Sequence, residues 1–361
     1  MDANGVNGDG SNVTKRARHA LIASHEAQPV NTPTTPFFDN PRGIALGIRK
    51  LKILKATEKL HHLQPGEEVL DFSPALSDTF QVYVVEEALT YPWLMDSLLA
   101  LTSLHIASEL VSDNDTYGGH VALAAEYASD ALSYQNKAVP SFREALADIS
   151  ESNCDALFAC SLILMASAGV SPLLQAKFED MEGADGKSGG IHRTQALMSL
   201  FHFVKGIHSV IDGAHPWLAN GPFKNAIWTH SDDAWMSSPP ESHPVTRRLK
   251  RLCEQVESQT GSVYDRAIRL LAACFLKDEM MTIPWLVVAG QGFVNEVEKQ
   301  DHMALLILMH WGVLLNQMDS LWWARLSGRK IVMDLVMDIA EHKEWDEVIG
   351  WATESVGLSI D

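Results

Sequence analysis

Two stretches of this chain are apolar on every side of a helix. ALFACSLILMA (156–166) and MALLILMHWGVLL (303–315) run without the charged stripe that a surface helix carries. A folded chain keeps such helices away from water only by wrapping them in others, so both belong at the centre of a larger helical assembly. A third stretch, YPWLMDSLLALTSLHIASEL (91–110), starts at a proline, has the same character and carries a histidine at position 105. The rest of the chain supplies the cover. From residue 44 onward apolar residues recur at helical spacing, whereas alternating β-branched runs joined by hairpin turns are nearly missing.

The expected fold is therefore all-α: a single large layered helical bundle over 44–361, preceded by a disordered tail over 1–43, which is polar and rich in Gly, Asn, Thr and Pro. Periodicity predicts helices over 44–62, 93–111, 119–139, 152–168, 191–210, 243–259, 262–281, 301–318 and 328–341. Their breakers are Pro65, Pro74, Pro92, Pro140, Pro172, the glycine-rich 183–190 stretch, Pro216, Pro222, Pro239-Pro240 and Pro284. A mobile loop is expected over 179–190. No fixed period repeats, which argues against a solenoid.

Charge and motifs narrow the function. Asp and Glu outnumber Lys and Arg by 46 to 28, a net charge of -18, so direct nucleic-acid binding is not expected. The basic group Lys15, Arg16 and Arg18 reads as an import signal or as an ordinary solvated cluster. Cys154, Cys160, Cys253 and Cys274 form no C-x-x-C pair, so neither a disulfide framework nor a metal site is expected, and the thiols imply an intracellular setting, nucleus or cytoplasm. The start MDANGVNGDG is not a secretory signal, and the 303–315 run is too short for a membrane span. GADGKSGG resembles a phosphate loop, but Met181 stands where its first glycine is required. No hydrolase or dinucleotide signature is present, so no cofactor is expected and catalytic residues are not identifiable.

What remains is a hydrophobic cavity. The three apolar helices are expected to enclose it, with His105 or His310 as the polar contact that orients a ligand. Leu101, Phe158, Met165, Met303, Leu308, Trp311 and Trp322 are the other candidate lining residues, the methionines leaving an adaptable wall. The rival reading holds both histidines as core residues bonded to backbone carbonyls. Trp322 and Trp323, being adjacent, must point different ways. His61-His62 sits at a predicted helix end, suited to capping.

Four segments, EKLHHL (58–63), ALTYPWLMDSLLALTSLHIAS (88–108), ALSYQNKAVPSFREALADISESNCDALFACSLIL (131–164) and ALLILMHWGVLLNQMDSLWWARLSGRKIV (304–332), resemble in this order the C-terminal regulatory domain of fungal binuclear-zinc-cluster transcription factors of the sterol uptake control type. The resemblance spans about residues 50–355. It implies an all-α domain around a pocket for a sterol, terpenoid, polyketide or similar molecule, whose occupancy governs nuclear entry and gene activation. The six-cysteine DNA-binding module of that family has no counterpart in this sequence, where the first cysteine is Cys154. Two expectations follow: a regulatory domain acting with a protein partner that carries the DNA-binding module, or the same pocket turned to biosynthesis as a cofactor-free cyclase or pericyclase such as a Diels-Alderase.

Overall fold

Pro92 opens the helix that sequence marks as apolar, and every later element follows the same logic of buried faces. The structure is a computed structural model, describing residues 79–112, 118–181, 189–224, 226–227, 239–255, 260–277, 281–318 and 321–358. The expected tail, the 44–62 helix and His61-His62 lie outside the described residues. After a π-helical turn at Thr79–Tyr83 the elements are α1 (Val84–Thr90), α2 (Pro92–Ser112), α3 (Gly118–Ala145), α4 (Cys154–Met181) and α5 (Gly189–Leu218). There follow α6 (Pro244–Gln255), α7 (Gly261–Lys277), α8 (Thr282–Val288), α9 (Gln291–Glu298), α10 (His302–Asn316), α11 (Trp322–Ile339) and α12 (Asp346–Ser355). No strand occurs among the described residues, so the all-α expectation holds.

Three expected breakers do not break. Pro140, Pro172 and Pro216 lie inside α3, α4 and α5. A proline removes one i→i−4 hydrogen bond, and at Pro172 the turns before it, 161–170, are almost wholly buried, which offsets that loss. Beside Pro172 the Ser171 hydroxyl donates to the Ser167 carbonyl at 2.9 Å, adding a bond in the turn that the proline disturbs. Helix α4 runs to Met181 and α5 begins at Gly189, so both ends of the expected 179–190 loop are helical, and residues 182–188 lie outside the described residues.

Helices α2, α3, α4 and α5 pack in one group, α2 against both α3 and α4, and α4 against α5. Helix α10 packs on α11 and is further covered by α7, α8, α9 and α12, while α11 also packs on α4 and so joins the two groups. Their burial explains the apolar runs: from Met303 to Leu315 every residue of α10 is buried. Among the described residues two helices, α2 and α4, are long and apolar enough to cross a membrane by length and composition, and the apolar window of each is 72% buried inside the fold. Hydroxyls inside α2 cause no penalty because they bond backward along the helix: Ser97 to the Trp93 carbonyl, Thr102 to Leu98 and Ser103 to Leu99, at 2.8, 2.9 and 2.8 Å. Asp301 caps α10 by accepting from the Ala304 amide at 3.0 Å.

The α10–α11 crossing depends on two facing glycines. A methyl built on Gly328 would collide with the backbone of Gly312 and Asn316, and one on Gly312 would come within 2.9 Å of Ile331. Gly312, which merely interrupts an apolar run in sequence, is there to let two backbones approach.

Candidate functional site

Between α2, α4 and α11 lies a half-open groove of about 440 Å³, within the usual range for small-molecule sites. Its apolar lining is Val111 from α2, Val170, Leu173 and Leu174 from α4, and Leu326 and Met333 from α11, closed at one side by Leu358. Ser108, Lys177, Arg329 and Lys330 supply its polar atoms. Lys177 donates to the Val111 carbonyl at 2.9 Å, and partial burial depresses its pKa. That bond ties the C-terminal ends of α2 and α4 together. Lys330 is paired with Asp334 one turn on. Arg329 is exposed and forms no ion pair among the described residues, which leaves its guanidinium for an acceptor on a bound molecule.

The residues singled out in sequence are all buried, but they do not line this groove. Leu101, Phe158 and Leu308 are wholly enclosed, Met303 nearly so, and Phe158 packs edge-on against Phe223. Met165 and Trp311 do meet, with Trp323 and Ser327, at a cavity of only about 10 Å³, room for about one water molecule. Trp311 is fixed by its indole N–H donating to the Thr282 carbonyl at 2.7 Å. The groove has α11 as its third wall beside α2 and α4, because α11 is the helix that packs on α4.

The two histidines differ. His310 is a core residue: Nδ1 meets the Leu306 carbonyl at 2.8 Å, the ring stacks on Trp351, and burial pushes its pKa down to about 4 against the opposing pull of the Leu306 and Val348 backbone. His105 is fully buried with no hydrogen-bond partner on either ring nitrogen, its Nε2 4.0 Å from the Glu109 carboxylate, and burial lowers its pKa to about 4 as well. Its ring lies 4.5 Å from that of Trp322. Ser108 and Leu326, one turn further along α2 and α11, line the groove, so the His105–Trp322 pair sits just beyond its inner end. Trp322 and Trp323 do point different ways, one to His105 and the other to the small cavity.

Sequence reading missed the groove because its predicted helices stopped at Ala168 and restarted at Gly328. The signal was present in Leu173-Leu174 beyond Pro172, and in Trp322, Leu326, Arg329 and Met333 at helical spacing.

No protein-family model matches the chain. Over 308 residues, 81% of its length, it is 23% identical to a Zn(2)-C6 fungal-type transcription factor of Gibberella zeae. The chain is similar, over most of its length, to a fungal transcription factor. The match covers 60% of that protein, so the chain corresponds to part of it. The four cysteines of this chain form no disulfide and are buried within helices or at their ends, where they act as small core residues.

Proposed function

We propose that this chain is a ligand-responsive regulatory region of the fungal transcription-factor type, and that the groove between α2, α4 and α11 takes a hydrophobic small molecule of sterol, terpenoid or polyketide size. The observation that carries this reading is the groove itself: about 440 Å³, walled by aliphatic side chains, with Arg329 available at a polar edge. Similarity to a Zn(2)-C6 transcription factor supports a regulatory output, exerted in the nucleus or on passage to it through a DNA-binding module or partner. The groove lies where α11, from the C-terminal group, meets α2 and α4, so a ligand that fills it favours one packing of the two groups over others.

The test is a thermal-shift and equilibrium-binding titration of the purified chain with sterols, terpenoids and polyketides, in parallel with two variants. Leu326→Trp fills the groove from its wall and should abolish binding with little loss of stability. Leu308→Trp, in the enclosed core, should be destabilised by roughly 1–3 kcal/mol through overpacking. Saturable binding that survives Leu326→Trp would move the site elsewhere. Chemical conversion of the bound molecule, read by mass spectrometry, would give the groove the cyclase or pericyclase role instead.

A further inference from the structure

Away from the groove, the start of α10 meets the chain that leaves α11. His302 is the first residue of α10, while Glu341 and His342 stand between α11 and the 3₁₀ turn Lys343–Trp345. Nδ1 of His302 is 2.5 Å from Nε2 of His342 and 3.8 Å from Oε1 of Glu341. One donor atom from each of the three residues lies within 4.8 Å of the others. An ordinary nitrogen hydrogen bond is about 2.9 Å long, so the two rings converge more closely than a shared proton requires.

The second ring nitrogen of His342 is also engaged. Its Nδ1 lies 3.1 Å from the Glu344 carboxylate, and the ring stacks on Trp345 at 4.0 Å. A proton held on Nδ1 by Glu344 leaves the Nε2 lone pair aimed at His302. This carboxylate–imidazole relay is how proteins fix the tautomer and orientation of a metal-binding histidine.

We propose that His302, His342 and Glu341 form a site for a divalent transition-metal cation of the zinc class, with Glu344 as a positioning residue. Two imidazoles and one carboxylate suit zinc or its neighbours rather than magnesium or calcium, which prefer all-oxygen sets. Two nitrogens on one zinc ion stand roughly 3.3 Å apart at a tetrahedral angle, so the rings need open only slightly. The carboxylates of Glu341, Glu344 and the cap residue Asp301 offset the positive end of the α10 dipole. The ligands are reachable, with His342 27% and His302 40% exposed. A bound ion would cross-link the N-terminus of α10 to the link between α11 and α12, clamping the C-terminal helices from outside their core. This site is independent of the groove and of any ligand there.

The experiment uses the full chain, stripped of metal and titrated with zinc alone against a chelating indicator, with cobalt(II) as a spectroscopic probe. One equivalent should bind saturably at neutral pH, raise the melting temperature and give a cobalt spectrum without a thiolate band. His342→Ala and His302→Ala should each abolish the stoichiometric binding. Glu344→Gln should weaken it about 10–100-fold with the metal-free melt unchanged, which a merely structural carboxylate would not do. Metal-free melts of the variants report whether each folds, and His302→Gln serves if an alanine variant does not. Binding untouched by these substitutions, or no stoichiometric binding by the folded parent, overturns the proposal.

Discussion

His105 shows what a single residue can hold against the logic of its surroundings. A buried imidazole without hydrogen bonds is a desolvated polar group, and its neutral form is the only one the site tolerates. His310 is also held neutral by burial in spite of its bond to the Leu306 carbonyl, and the nearby His243 adds to the downward pull. Both folded-state pKa values lie near 4, below the ordinary histidine value of about 6.5. As pH falls through that window the unfolded chain takes up protons that the folded chain refuses, so stability is lost between about pH 6.5 and 4 and is unaffected by these groups above it. Each ring contributes roughly 1 kcal/mol per pH unit. His105→Phe, which keeps a ring against Trp322 and removes the titration, should shrink the difference in denaturation free energy between pH 7 and pH 5 by about 1–2 kcal/mol. An undiminished difference would mean that the ring is solvated or partnered in solution.

Among the elements, the α10–α11 pair is held by close approach rather than by large side chains. Gly328→Ala places a methyl against the backbone of Gly312 and Asn316, atoms that cannot rotate away. The expected cost is that of overpacking at its upper end, about 3 kcal/mol, although alanine is the better helix former by about 1 kcal/mol. Gly206, also inside a helix but with nothing near its missing side chain, is the control, and Gly206→Ala should be neutral or stabilising. Comparable melting temperatures for the two variants would show that the crossing is looser than described. Helix α4 teaches the opposite lesson about local rules, since Pro172 stands within it and the turns beyond still present Leu173, Leu174 and Lys177 to the groove.

On the scale of the whole molecule, α11 joins the two groups of helices. It packs on α4 on one side and α10 on the other, and its Leu326–Met333 stretch walls the groove. A ligand held there at a hundred times its Kd should stabilise the fold by about 2.7 kcal/mol. Amide exchange should slow in α2, α4 and α11 more than in α7 or α9, because the bound molecule bridges only the first three. Uniform slowing over all helices would indicate global stabilisation from another site.

The sequence by itself determined the class of fold and its centre. A helix such as α10, apolar on all sides, has no stable place except inside other helices, and that holds whatever the chain's topology. It also determined that His310 and Trp311 would be buried, and that Trp322 and Trp323 would diverge, because helical periodicity alone separates neighbouring side chains by about a quarter turn. Only tertiary structure decided which helices meet. Periodicity marks that a face is buried but carries no record of its partner, so nothing in the sequence pattern says that α11 packs on both α4 and α10. Glycines at 312 and 328 set the crossing through backbone contact, which no apolar pattern registers. His302 and His342, 40 residues apart, fall outside any local ligand spacing, and only the antiparallel return of α11 along α10 brings their ring nitrogens together.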